Sequence, residues 1–433
     1  MASLHVRGLA IGAGAKRKKI MFDSVTLPNG LRVVGEPLDH LRSCTIGCWI
    51  KAGSMNERPG ENGLSHFIEH MVFKGTQNRT ARQIAEQMDA VGGQLNAFTG
   101  KDCTCYYAKV IDEYLPLAVD IVSDIVLRPL FADDDLRKER GVIIEEIAMV
   151  DDTPEDLVGD VLAEAQFTGS LKRPVLGTRE LVSGYTTDDL RGYWQRHYQP
   201  ENIVIAIAGK YDWDTLLKLI HRYFNRFPDA NGLPVVEPQS FTGGRQARSK
   251  DTEQVQICIG HRGYALGTDE LYALSMFSNA LGGGMSSRLF QRIREELGLA
   301  YSVYSFPGSY PAMGTFTVYA GTAPHNAETV IREIQQQLTL ALQKGFSDNE
   351  FESAKAQLKG AFLLGLESSS GRMQSIGRSM LHLNRLRTPD EILEKIEAVT
   401  KKALHDAAEH VLSSPSSAAI VGRDAEKYLD FIR

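Results

Sequence analysis

The stretch GLSHFIEHMVFKGT, residues 63–76, sets two imidazoles and a carboxylate where they could do chemistry together. His66 and His70 are four residues apart, so on an α-helix they share one face. Two imidazole nitrogens on one face can hold a single Zn2+ at about 2.0–2.1 Å. Glu69 falls three residues after His66 and one before His70, beside the metal face without having to ligate. From there it could take a proton from metal-bound water, whose pKa falls to about 7. The order is His-x-x-Glu-His, the reverse of the His-Glu-x-x-His arrangement. A lone helical histidine usually packs or faces solvent. Two of them with a glutamate at this spacing, ahead of the apolar Met71-Val72-Phe73, form a much more specific signal.

A catalytic zinc takes three protein ligands and keeps a fourth position open. The segment KERGVIIEEIAMV, 138–150, offers carboxylates for the third. Glu139 and Glu146 are two helical turns apart and share a face, while Glu145 points about 100° away from Glu146. Val142, Ile143 and Ile144 predict a largely buried helix, and an ionised Glu is rarely buried without a partner or a metal. Spacing alone leaves two alternatives open: Glu146 as a ligand, or Glu145 and Glu146 as a solvated edge. Cys103 and Cys105 alternate on one strand face and have no second cysteine pair at a suitable spacing, so they read as packing. Gly282 to Gly284 reads as a hinge, because the Lys-Ser/Thr end of a phosphate loop is absent.

These groups need elements to position them. The 61–73 stretch has helical spacing, and 80–90 is a second helix opened by Thr80 as N-cap. Asn29-Gly30 between apolar alternations predicts a hairpin over 25–34. Residues 43–51, 92–99, 103–110 and 202–208 read as strands, and 113–126 and 133–150 as long helices. Residues 229–249, with Gly232, Pro234, Pro238, Gly243 and Gly244, form a linker between halves of similar length. The halves correspond. Two strands and a helix over 92–126 match 301–342, and a charged helix follows each, at 133–150 and 348–364. A helix at 187–197 then a strand at 202–210 match a helix at 400–411 then a strand at 417–423. The expected fold is α+β: two homologous α/β units, 21–228 and 250–433, each a mostly antiparallel sheet covered by helices. In the second half the helix at 273–281 carries no metal ligand.

Composition narrows the classes. The chain has 433 residues, 43% hydrophobic and 24% charged, within the globular range. There are 48 basic against 54 acidic residues, net −6, without the basic excess expected of a nucleic-acid binder. No apolar run of about 18 residues predicts a membrane-spanning helix. Five cysteines, an odd and low number, argue against a disulfide framework and for a reducing compartment. Residues 1–20 end in the basic cluster 16–19, the reverse of a secretory signal's order, and read as a disordered basic leader or a segment upstream of a start at Met21.

The HFIEH stretch, GGQLNAFTGKDCTCYY at 92–107 and the distal glutamate together resemble the M16 (pitrilysin/insulinase) metallopeptidase family. The resemblance runs from about residue 22 to the C-terminus, and the length resembles that of the short members, the bacterial processing proteases and the mitochondrial processing peptidase β subunit. It implies the metallopeptidase M16/LuxS-like fold. In that family the third ligand lies about 76 residues past the second histidine, which selects Glu146, and a functionally important glutamate precedes it by seven, which is Glu139. The resemblance therefore implies one zinc per chain held by His66, His70 and Glu146, with Glu69 as general base. Asn96 and Ala97 match an edge strand that pairs with extended substrate, in keeping with backbone recognition by β-augmentation. GGGMSSRLFQRIREELGLAYSVYS, 282–305, resembles the substrate-gripping segment, and Arg294 and Tyr301 match its Arg and Tyr, which contact substrate and the developing oxyanion.

The implied function is a zinc endopeptidase acting on peptides or unfolded segments. Its implied partner is a second chain, identical or a related M16 paralogue, closing a clam-shell chamber. The implied location is the bacterial cytoplasm, with the mitochondrial matrix as the alternative. Two other readings compete: a catalytically silent or regulatory scaffold subunit, which in this family characteristically has broken motifs, and a zinc hydrolase of a non-peptide substrate.

Overall fold

Asn29-Gly30 turns the chain between two antiparallel strands, β1 (Asp23–Thr26) and β2 (Arg32–Pro37), with Gly30 at φ 90°. The computed structural model describes residues 22–225, 227 and 236–432. The leader at 1–20 and the first part of the expected linker, 229–235, lie outside the described residues. After β2 the first half continues through β3 (Ser43–Ile50), α1 (Leu64–Val72), α2 (Ala81–Asp89), β4 (Gln94–Thr99), β5 (Thr104–Ile111) and α3 (Leu115–Leu127). Then come α4 (Asp133–Asp152), α5 (Pro154–Gln166), α6 (Arg179–Gly184), α7 (Thr187–His197), β6 (Ile203–Gly209) and α8 (Trp213–Tyr223). The second half runs β7 (Arg245–Ser249), β8 (Val255–Gly263), α9 (Glu270–Gly282), β9 (Ala300–Ser309) and β10 (Gly314–Thr322). It closes with α10 (Ala327–Lys344), α11 (Asp348–Gly365), α12 (Ser369–Leu383), α13 (Pro389–Glu397), α14 (Lys401–Ser413) and β11 (Ser417–Gly422).

The two sheets repeat one pattern. The first has the order β1-β2-β6-β3-β5-β4, the second β7-β11-β8-β10-β9. Each contains one parallel pair, β2 with β6 and β7 with β11, and is otherwise antiparallel. The fold is α+β with two repeated units, each a mostly antiparallel sheet packed with helices, as expected. Residues 245–249, placed in the linker on sequence, instead form β7 and pair with β11 from Ala418 to Gly422. RQARS has no apolar alternation because this edge strand is paired on one side only and its residues stay partly exposed.

One face of the first sheet packs on α1, α3, α7 and α8, with Ile46, Phe67, Ile121, Leu190 and Ile220 fully buried. The opposite face is covered by a helix from the other half: Met373, Ile376 and Leu381 of α12 lie on Val34, Trp49 and Val204. Reciprocally, Val158, Val161 and Leu162 of α5 cover Cys258, Tyr319 and Val421 of the second sheet. The halves thus exchange one helix each, and their boundaries in sequence do not separate their cores. The exchange is tight: Trp49 Nε1 lies 3.2 Å from Met373 Sδ, and a Cβ at Gly377 would overlap the Trp49 ring at 2.2 Å. Arg372 of α12 also pairs with the buried Glu36 of β2. No helix among the described residues is long and apolar enough to cross a membrane.

Candidate metal centre

Helix α1 forms because Leu64, Phe67, Ile68, Met71 and Val72 recur at the i, i+3, i+4, i+7, i+8 spacing, and all five are buried against the first core. That stripe turns His66, Glu69 and His70 to the other side. The two rings lie with centroids 4.7 Å apart at 64°. Helix α4 crosses this face. Leu136, Glu139 and Ile143 are its buried residues, and Glu146 lies one turn beyond Ile143 on the same stripe. Sequence predicts a largely buried α4, but Val142 is 44% and Met149 67% exposed. Three consecutive apolar residues span more than half the helix circumference, so a helix packed on one side must leave one of them outside.

Glu146 Oε2 stands 3.7 Å from His66 Nε2 and 3.5 Å from His70 Nε2. Tetrahedral donors about 2.05 Å from zinc would be about 3.3 Å apart, so these two separations are near those a zinc ion requires. The chemistry of the donors also fits. Burial, then the neighbouring His70, pushes the His66 pKa down to about 3, which leaves its imidazole neutral with a lone pair to give. The His66–Glu146 approach is therefore a neutral ring facing a carboxylate, not an ion pair. His66, His70 and Glu146 could together hold a metal.

Glu69 does not join the triangle. Its Oε2 accepts a hydrogen bond from Thr99 Oγ1 at 2.5 Å. Burial raises its carboxyl pKa above the ordinary range, opposed by the Thr99 bond and the nearby His70. A carboxylate tuned upward beside a metal site suits proton transfer. Glu139 Oε2 lies 3.1 Å from His70 Nδ1 and Glu139 Oε1 lies 2.7 Å from Lys74 Nζ. Glu139 thus sits behind the histidine, away from the triangle.

Asn96 and Ala97 lie on β4, the outer strand of the first sheet, paired to Tyr107 and Tyr106 on one side only. The Ala97 N–H is met by the Asn96 side chain at 2.8 Å. Arg294 lies in the wide-turn helix Phe290–Glu296 and Tyr301 at the start of β9. Arg294 donates to the Tyr301 carbonyl oxygen at 2.8 Å and stacks 4.6 Å over its ring, and Tyr301 is 73% exposed. Among the described residues, no hydrogen bond or ion pair joins Arg294 or Tyr301 to His66, Glu69, His70 or Glu146.

Three contributors escape the sequence reading. Thr99 shares a strand face with Ala97, and Lys74 follows His70 by one turn, so spacing could have pointed to both. Glu57, a buried acceptor at the start of α1, lies in the loop segment 51–63, where no periodicity marks it. A second group, Asp102, Cys103 and His382, lies within metal-ligating range. Arg378 occupies Asp102 Oδ2 at 3.1 Å, so this cluster joins α12 to the first sheet with its charge already balanced.

Comparison with known proteins identifies the family. Residues 32–179 match the family described as insulinase (peptidase family M16), and residues 184–358 match the description peptidase M16 inactive domain. The uncharacterized zinc protease YmxG of Bacillus subtilis is 39% identical over 93% of this chain and 98% of its own length. The uncharacterized zinc protease Rv2782c of Mycobacterium tuberculosis is 42% identical over 93% of each chain. A protease from Helicobacter pylori superimposes with a TM-score of 0.88 at 23% identity, over 93% of this chain and 99% of that one. With two family segments spanning most of the sequence and zinc-protease relatives aligned along nearly its whole length, the chain belongs to the M16 peptidase family.

Proposed function

We propose that the chain is a zinc-dependent endopeptidase that hydrolyses peptides or unfolded segments at a centre formed by His66, His70 and Glu146. The observation that carries this reading is the convergence of Glu146 Oε2 on both histidine Nε2 atoms, from a separate helix, at 3.5 and 3.7 Å. Zinc bound there, one per chain, would polarise the scissile carbonyl and make water acidic enough to ionise near neutral pH. Glu69 takes the proton of the attacking water and delivers it to the departing amine. Thr99 holds Glu69 in place for that transfer. The free edge of β4, at Asn96 and Ala97, pairs with the extended substrate backbone. Arg294 and Tyr301 grip the substrate and stabilise the developing oxyanion from a second chain, either an identical copy or a related M16 subunit. The relatives are bacterial, which accords with a cytoplasmic protein.

The test uses purified chain with a quenched peptide library, with and without chelator, alongside metal analysis. Zinc near one equivalent and chelator-sensitive cleavage are expected, and His70→Ala should lose the metal. Full zinc occupancy in His70→Ala would sink the ligand assignment. Bound zinc with no turnover on any peptide would favour a silent scaffold subunit.

A further inference from the structure

The residue that begins α1 cannot cap it. Gly63 occupies the N-cap at φ 98° and has no side chain to accept a bond. A Cβ there would meet the Leu176 carbonyl oxygen at 2.8 Å and Gly177 Cα at 2.9 Å, so Ser, Thr and Asp, the usual caps, do not fit. The first backbone N–H groups of a buried helix need acceptors nonetheless. Glu57 supplies them from outside the helix. Its Oε2 accepts from Gly63 N at 2.9 Å and from Asn62 Nδ2 at 3.0 Å, and its Oε1 accepts from Ser65 N at 2.8 Å. Its side chain is as good as sealed, at 2% exposure. The Glu57 backbone is held in turn, since Arg173 Nη1 donates to its carbonyl oxygen at 2.8 Å. Around it, Ser65 Oγ and Tyr193 OH are 2.7 Å apart, and Tyr185 OH donates to the Asn62 carbonyl oxygen at 2.8 Å.

We propose that Glu57 is a positioning residue for the metal centre, setting how far α1 stands along its own axis relative to Glu146 on α4. The inference rests on the zinc hydrolase reading above. The apolar stripe of α1 fixes its rotation but resists sliding poorly, because a nine-residue helix is only about 13.5 Å long and gains little from its own propagation. The Glu57 bonds grip the backbone one residue before His66. Any axial slip would move His66, Glu69 and His70 together while Glu146 stays with α4, and the donor triangle would lose its size. A carboxylate at a helix N-terminus is also the charge that the helix dipole favours. Burial pushes the Glu57 pKa up to about 7, against hydrogen bonds from Asn62, Ser65 and Gly63 that all favour the ionised form.

Glu57→Gln tests this, because the amide keeps the shape but presents an N–H where one of the three donors now points. Zinc affinity and turnover per bound zinc should each fall about 10–100-fold, the usual cost of losing a group that orients ligands. KM should change by less than about twofold, because the β4 edge that pairs with substrate is not part of α1. The cobalt-substituted chain should show an altered visible spectrum. A purely structural role would lower the melting temperature of the metal-free chain and leave affinity and turnover per zinc as in the parent, and that result overturns the proposal. If Glu57→Gln does not fold, Glu57→Asp is measured on the same two scales. A loss of about threefold or more supports the proposal, and parent-like values overturn it. A parent chain with neither zinc nor hydrolysis would sink the underlying reading, and this inference with it. Parent activity with an unaffected variant sinks this inference alone.

Discussion

Glu139 Oε2 lies 3.1 Å from His70 Nδ1, the ring nitrogen turned away from Glu146. A carboxylate in that position keeps the proton on Nδ1 and the lone pair on Nε2, where a metal would need it. Lys74 Nζ lies 2.7 Å from the other Glu139 oxygen, so the carboxyl is held from both sides.

Glu139→Gln should therefore keep zinc but bind it more weakly, with about a 10–100-fold loss in affinity or activity. Chelator-competition titrations and initial rates on one peptide measure both. A variant indistinguishable from the parent would remove Glu139 from the centre.

Glu69→Gln should bind zinc as the parent does and lose about 10²–10⁴-fold in turnover, since the amide cannot accept a proton. Metal content and rates from a single preparation decide the matter. Ordinary turnover at neutral pH would assign the base role to another group.

Acid should destabilise the metal-free chain through His197, which stacks on Tyr193 at 4.0 Å and is buried. Burial, then Arg196 and Arg58, pushes its pKa down to about 3 from an ordinary 6.5. Between those values the unfolded chain binds a proton that the fold excludes, so stability falls as pH drops below 6.5 and levels near 3. Glu57 acts in the opposite sense between about 4.5 and 7, being protonated earlier in the fold. Comparison with His197→Phe isolates the histidine: melting temperatures from pH 7 to 4.5 should fall further in the parent than in the variant. Parallel curves would show that the fold admits the proton.

A mixture of Glu69→Gln and Tyr301→Phe chains should recover activity that each lacks alone. Tyr301 is exposed, and among the described residues no hydrogen bond or ring contact joins it to His66 or His70. If it serves a partner's centre, one site of a mixed dimer collects both defects and the other is intact. Rates on mixing, with mixed dimers verified by tagged pull-down, measure this. No recovery would place both groups within one chain.

What the sequence determines by itself is local chemistry. The four-residue spacing of His66 and His70, the interposed Glu69 and the apolar stripe from Leu64 to Val72 follow from helical period alone, and the structure adds nothing to their relative order. Thr80 as the cap of α2 and the Asn29-Gly30 turn are legible for the same reason, since their bonds close within a few residues. The repeat of two α+β halves also shows in the pattern of elements.

Tertiary structure decides the rest. Whether Glu146 faces the histidines or lies with Glu145 on a solvated edge depends on how α4 lies across α1, and spacing within α4 left that open. The exchange of α5 and α12 depends on which sheet face each apolar stripe meets, and both stripes look alike in sequence. Glu57 is the sharpest case. A single acid in an aperiodic loop becomes the cap of α1 only because Gly177 crowds the N-cap and excludes every residue that could have capped the helix locally. Side-chain period is a property of the chain, whereas an acceptor shared across a loop exists only once folding has closed the loop around it.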